Sequence, residues 1–286
     1  MKFLVLGCNG MAGHMVSLYL KERKHEVKGF ARTKSDLVDT YIGDARDLEY
    51  IREIIQNGLF DSVVNCIGIL NQFAENNHES AVFLNSYLPH YLAKITENMD
   101  TQIIHISTDC VFSGKEGGYT EDSLRDGETF YDRSKGMGEL EDDKNVTLRN
   151  SIIGPDIKPN GIGLMNWFLQ QKDSVRGYSK AIWSGQTTLQ LAKTIEAAAT
   201  KRVSGLYNMV PDSSISKCDL LQLMNKYIRK TPIEIVNEDT FVCNKSLIRA
   251  RYEGFDYKIP DYETMLKELG EWMREHKDLY PHYELV

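Results

Sequence analysis

The chain is predicted to be an α/β protein, a doubly wound parallel sheet with a smaller α/β lobe at its C-terminal end. Three features predict it. Strand-like and helix-like segments alternate up to residue 155, glycines at 7, 10 and 13 join the first strand to the first helix, and after Gly154-Pro155 the rhythm changes. Strand, helix and strand in succession make a parallel pair, because the crossover must run back over the sheet.

Lys2–Leu6 is suited to a buried strand, and Met11–Glu22 follows as a helix. His25–Phe30 predicts a second strand, Leu48–Gln56 a helix, and Ser62–Cys66 a strand entered from the turn at Asp61. Glu79–Glu97 carries Val82, Leu84, Tyr87, Leu88, Leu92 and Ile95 at helical spacing and predicts one long helix. Gln102–Ser107 is a strand, Tyr131–Leu140 a helix, and Val146–Ile153 a strand closed by Gly154-Pro155. Beyond it lie a loop at Pro159–Gly163 and an apolar stretch around Trp167 and Phe168. Thr187–Thr200 predicts a helix that packs back on the sheet, Leu206–Met209 a short strand, and Ser216–Ile228 and Tyr262–Glu275 two further helices. The expected organisation is a Rossmann-type dinucleotide domain over 1–154 plus about 186–210, and a substrate lobe over about 155–185 plus 211–286.

The glycine turn has a chemical meaning. Gly7 permits the sharp exit from the strand, Gly10 lets backbone approach a pyrophosphate, and Gly13 lets the helix pack close to the strand. The free N–H groups of Met11 and Ala12 at the helix start then face an anion. Composition narrows the partners. The net charge is −7 over 286 residues with no basic run, which argues against nucleic acid. The five cysteines are scattered without a Cys-x-x-Cys pair, as for reduced thiols in the cytoplasm. The seven histidines form no cluster with ligand spacing, so no metal is expected. Val5-Leu6-Gly7-Cys8 faintly resembles a lipoprotein cleavage box, but too few apolar residues precede it. No stretch approaches the ~18 apolar residues of a membrane span, so no membrane insertion is expected.

The candidate chemistry lies at the ends of the strands. Ser107-Thr108-Asp109 closes one strand, and Tyr131 and Lys135 share one face of the next helix. A phenol titrates near ~10, too high for easy proton exchange at neutrality. A neighbouring ammonium is expected to lower that value. Thr108 can hydrogen-bond a substrate oxygen, Tyr131 can protonate it, and Lys135 can reach the ribose of a nicotinamide cofactor that supplies hydride.

Assembled, these residues resemble the extended short-chain dehydrogenase/reductase family, and more narrowly its dTDP-4-dehydrorhamnose reductase-like branch. The matching stretches are Gly7-Cys-Asn-Gly-Met-Ala-Gly13, Ser107-Thr-Asp-Cys-Val-Phe-Ser-Gly114, Tyr131-Asp-Arg-Ser-Lys-Gly-Met-Gly-Glu139, Asn85-Ser-Tyr-Leu-Pro-His-Tyr-Leu-Ala93 and the strand end Arg149 to Gly154. The likeness is clear over about 1–155 and fainter to about 210. It implies Thr108, Tyr131 and Lys135 as catalytic residues. It also implies a cofactor lining of Gly7, Gly10, Met11, Ala12, Gly13, Asp44, Ala45, Cys66, Ile67, Gly68, Asn85, Ser107, Tyr131 and Lys135, with Asp44 on the adenine.

The departures refine the expectation. The second strand ends Phe30-Ala31-Arg32-Thr33, with no acid for ribose hydroxyls. Arg32 suits a 2′-phosphate, which favours NADPH while leaving NADH open. Cys110 stands where the branch usually has an aromatic residue and the 4,6-dehydratases a glutamate; Ile152 replaces a frequent tryptophan and Asp132 a frequent glycine. Substrate-side candidates are Thr108, Asp109, Arg149, Asn160, Arg176 and Trp183, with Trp167 beside them. The resemblance implies an NADPH-dependent reductase of a nucleotide-linked 4-keto-6-deoxy sugar, serving cell-surface polysaccharide synthesis. Two alternatives stay open: a non-catalytic NADP-binding regulatory subunit, and a sugar-nucleotide epimerase that retains NAD. The fold class also allows a homodimer through a helix pair.

Overall fold

The structure is a computed structural model and describes residues 1–285. Its strands are β1 (Lys2–Leu6), β2 (Glu26–Ala31), β3 (Asp39–Ile42), β4 (Ser62–Asn65), β5 (Gln102–Ser107), β6 (Val146–Arg149), β7 (Ser151–Ile153), β8 (Val175–Tyr178), β9 (Ala181–Trp183), β10 (Gly185–Thr187), β11 (Gly205–Asn208), β12 (Ile215–Ser216), β13 (Ile235–Glu238) and β14 (Cys243–Asn244). Its helices are α1 (Met11–Glu22), α2 (Leu48–Gly58), α3 (Asn71–Asn76), α4 (His78–Ala81), α5 (Leu88–Ile95), α6 (Phe130–Met137), α7 (Leu164–Gln170), α8 (Thr188–Lys201), α9 (Lys217–Tyr227) and α10 (Tyr262–Glu275).

Seven strands form one sheet in the order β11-β6-β5-β4-β1-β2-β3, every pair parallel. Alternation along β1 explains the layers. Phe3 and Val5 face one core with Met15 and Val16 of α1 and Leu191 and Ile195 of α8. Leu4 and Leu6 face another with Ile51 and Ile55 of α2 and Leu88 and Leu92 of α5. Connections leave β1 and β4 in opposite directions, so a crevice opens beyond their carboxyl ends. Both ends carry expected site residues, Gly7 after β1 and Cys66 after β4. The remaining strands make small sheets, β10-β7, β12-β9-β14 and β13-β8.

Two expected elements are broken. The single helix over Glu79–Glu97 is α4, a π-helical turn at Val82–Tyr87, and α5. Pro89 has no N–H to give the carbonyl of Asn85 four residues back, so the α-helical ladder cannot run through. That carbonyl instead abuts Gly138, where a Cβ would overlap it. The single strand over Val146–Ile153 divides at Asn150. β6 stays in the main sheet beside β5, while β7 turns away to pair with β10. The sequence reading assigns no strand to β3 or to the short strands outside the main sheet.

Candidate active site

A cavity of about 430 Å³ lies at the crevice. Its cofactor-side wall is Gly10, Met11 and Ala12 at the start of α1, and Cys66, Ile67 and Gly68 after β4. Opposite stand Ser107, Thr108, Asp109 and Cys110 after β5, Tyr131 and Lys135 of α6, Asn150–Ile152, and Ile162–Leu164. α6 enters the site through a capping box: the Thr129 hydroxyl accepts from the Asp132 N–H, and Asp132 accepts from the Thr129 N–H. Asp132 therefore fixes the start of the tyrosine helix.

The glycine turn has the shape that a dinucleotide needs. Gly7 has φ +80°. A Cβ on Gly13 would overlap the carbonyl oxygen of Gly7, so α1 and the strand end approach as only glycine permits. Gly10 caps α1 without a side-chain hydrogen bond, which leaves the first N–H groups for an anion. The residues present therefore fit a dinucleotide pyrophosphate. Arg32 is exposed just past β2, and Asp44 is exposed after β3 with its Oδ1 accepting the Arg46 N–H at 2.9 Å. Ala45 is buried beside it.

Asn85 lies behind the wall. Its Oδ1 accepts the Ile69 N–H at 2.8 Å, and its Nδ2 donates to the Ile69 carbonyl at 3.0 Å and the Ser134 hydroxyl at 3.0 Å. It ties the loop after β4 to α6, with its polar atoms taken by protein. Ser107 donates to Glu139 at 2.5 Å. Thr108 accepts the Cys110 N–H at 3.2 Å and donates to Asp109 Oδ1 at 3.2 Å.

The electrostatics of the site are dominated by burial. Burial raises the Tyr131 phenol well above its ordinary value, with Cys110 adding to the rise and a Thr108 hydrogen bond opposing it. The downward pull expected from Lys135 is not found: desolvation dominates, and the phenol is held protonated. Lys135 Nζ donates to the Ile106 carbonyl at 2.7 Å and lies 3.5 Å from His105 Nε2. Burial pushes its ammonium down to about 8, against the charge of Glu139. Burial, then Lys135, holds His105 neutral. Burial also raises Asp109 and pushes the Cys66 and Cys110 thiols up to about 12, so neither thiol is a nucleophile at neutrality.

Lys135 carries a prediction. The folded lysine loses its proton near 8 and the unfolded one near 10.5. Between those values the unfolded chain holds more protons, so this group makes stability rise with pH. The stability difference between wild type and Lys135→Met should therefore move in favour of wild type from pH 8 to 10.5. Urea titrations across that range test it; a flat difference would contradict the buried ammonium.

The substrate-side expectations fare unevenly. Arg149 is fully buried, with Nε and Nη2 gripping Glu139 at 2.8 and 2.7 Å and Nη1 toward Asn208 at 3.3 Å. Its guanidinium lies over the Phe112 ring at 5.1 Å, so the structure places it in the core and not on a diphosphate. Trp183 is buried against Tyr262, their rings 5.8 Å apart. Arg176 projects from β8 toward Glu238 at 3.6 Å, exposed and off the cavity wall. Asn160 is exposed in the turn before Ile162–Leu164, and Trp167 is 43% exposed on α7.

Asn150, missed in the sequence, lines the cavity with a buried Oδ1 that has no partner among the described residues. A lone Asn at a strand end gives no sequence signal; the break between β6 and β7 puts it there. Among the described residues no cluster could hold a metal ion, and no helix is long and apolar enough to cross a membrane.

Comparison with known proteins places this geometry. The family model described as the RmlD substrate binding domain matches residues 1–280. A protein of Haloferax volcanii named as a probable low-salt glycan biosynthesis reductase is 32% identical over 228 residues, 75% of this chain and 76% of that one. The spore coat polysaccharide biosynthesis protein SpsK of Bacillus subtilis is 28% identical over 68% of each chain. A crystal structure of dTDP-4-dehydrorhamnose reductase from Bacillus anthracis, in complex with NADP, shares the fold. Its TM-score is 0.78 at 18% identity, covering 94% of this chain and 98% of that one. The chain belongs to the RmlD substrate binding domain family, in the dTDP-4-dehydrorhamnose reductase-like branch of the extended short-chain dehydrogenases/reductases, a family of oxidoreductases.

Proposed function

We propose that the chain is an NADPH-dependent reductase of a nucleotide-linked 4-keto-6-deoxy sugar, acting in cell-surface polysaccharide synthesis. The observation that carries this is the convergence of Thr108, Tyr131 and Lys135 on the one cavity whose other wall is the glycine turn. Names of relatives agree with the class: a glycan biosynthesis reductase, a polysaccharide biosynthesis protein, and a dTDP-4-keto-6-deoxy-D-glucose reductase of Streptomyces niveus at 23% identity. NADP in the Bacillus anthracis structure supports the cofactor, as does Arg32 past β2.

When bound, the dinucleotide supplies hydride to the keto carbon. As the carbonyl π bond opens, Tyr131 passes its phenolic proton to the oxygen, giving C–H and O–H bonds and a phenolate. A phenol kept protonated by burial is the right resting form for a proton donor. Thr108 hydrogen-bonds the same oxygen, and Lys135 stabilises the phenolate that remains. The five free thiols suit a reducing compartment, and we place the enzyme in the cytoplasm.

The test is NADPH oxidation with dTDP-, UDP- and GDP-linked 4-keto-6-deoxy sugars, repeated with Arg32→Ala. One sugar should be turned over without added metal, and the variant should lose NADPH affinity more than NADH affinity. A protein that binds NADP(H), reduces none of the panel and co-purifies with another enzyme would be a regulatory subunit. Tightly retained NAD with no need for external cofactor would mark an epimerase. Either result overturns the reductase.

A further inference from the structure

One buried carboxylate reaches the site from behind. Glu139 lies just past α6, four residues beyond Lys135, and its side chain is fully buried. Oε1 accepts the Ser107 hydroxyl at 2.5 Å and Arg149 Nε at 2.8 Å. Oε2 accepts Arg149 Nη2 at 2.7 Å and also Arg125 Nε. A buried ion pair is seldom needed for stability, because apolar residues of similar volume often serve as well. What this one joins is specific. Ser107 ends β5 and precedes Thr108. The carboxylate therefore connects the strand end that carries the threonine to the helix that carries the tyrosine and lysine. Arg149 continues the chain of bonds to Asn208 at 3.3 Å. The Asn208 N–H donates to Glu121 at 2.9 Å, and Glu121 also accepts the Ala250 N–H at 2.9 Å.

We propose that Glu139 is a positioning residue of the reaction: it locks the Thr108 strand end to the Tyr131 helix and supplies the negative partner of the Lys135 ammonium. The groups around that ammonium are His105 from β5, Cys66 after β4, and Glu139 after it on its own segment. His105 is neutral, and Cys66 is protonated. Burial pushes the Glu139 carboxyl up, but Arg149, Arg125 and the Ser107 hydroxyl together outweigh this and hold it an anion. Its charge works against the desolvation of Lys135.

The kinetic half of the inference rests on the reductase reading; the titration half does not. Protein labelled with ¹³C-lysine and free of cofactor is titrated by NMR, the Lys135 signal being assigned by its loss in Lys135→Met. Glu139→Gln should lower the Lys135 midpoint by about one unit. It should also lower kcat about 100-fold at pH 7 with NADPH affinity unchanged. Because that variant leaves a guanidinium unpaired and can misfold, Glu139→Gln/Arg149→Met is made beside it, and Glu139→Asp serves as the conservative rescue. A positioning role predicts that the double variant regains its melting temperature but neither its lysine midpoint nor its turnover, whereas Asp restores part of both. Turnover that returns together with stability would overturn the proposal, as would an unmoved lysine midpoint. If wild type reduces no sugar of the panel, the reductase reading fails while the titration still decides the partnership.

Discussion

Tyr131→Phe should lower kcat for the keto sugar by about 10²–10⁴-fold, the usual contribution of a positioned general acid. NADPH affinity and melting temperature should change little. The ring is buried at the cavity and packs near Ala74 and Ala81. Its backbone N–H bonds Glu75 at 3.1 Å, and the substitution leaves both features in place. The phenolic hydroxyl is removed, and with it the transferable proton and the hydrogen bond with Thr108. Single-turnover oxidation of bound NADPH is the clean measurement, since it isolates the chemical step from product release. A variant within about threefold of wild type would mean that another acid donates; Asp109, raised by burial on the same wall, would be next to examine.

Arg149→Met should destabilise the protein by about 3–5 kcal/mol. Met replaces the volume, but Glu139 keeps its charge with neither side chain exposed. Arg125 cannot compensate fully, because it is partly exposed and shared with Glu141. Urea denaturation of the single and double variants gives the coupling directly: adding Glu139→Gln should recover most of the loss. A single variant within about 1 kcal/mol of wild type would show that water or a protonated Glu139 takes up the strain.

These two residues mark what the chain disclosed in advance and what it withheld. Tyr131 and Lys135 are four apart on one helix, and a local period suffices to put them on one face. Thr108 is legible because a buried strand must end at the crevice. Arg149 was misplaced because its partner is ten residues earlier, across a turn and on another element. An isolated arginine near a strand end looks like an anion ligand until its carboxylate is seen. Asn85 fell on a smooth helical pattern, yet its bonds to Ile69 and Ser134 and the proline after it bend that pattern into a π turn. Tertiary demands overrode periodicity there. β3 was missed because four half-exposed residues at a sheet edge carry too little alternation to be distinguished from loop.

The last strand of the sheet, β11, comes from residues far beyond Gly154 and pairs with β6. Anyone trimming the gene at Gly154, where the rhythm breaks, would discard it together with α8. β6 would then become a bare margin, its amides and carbonyls open to any passing chain. The seven-stranded sheet is thus not a detachable N-terminal module.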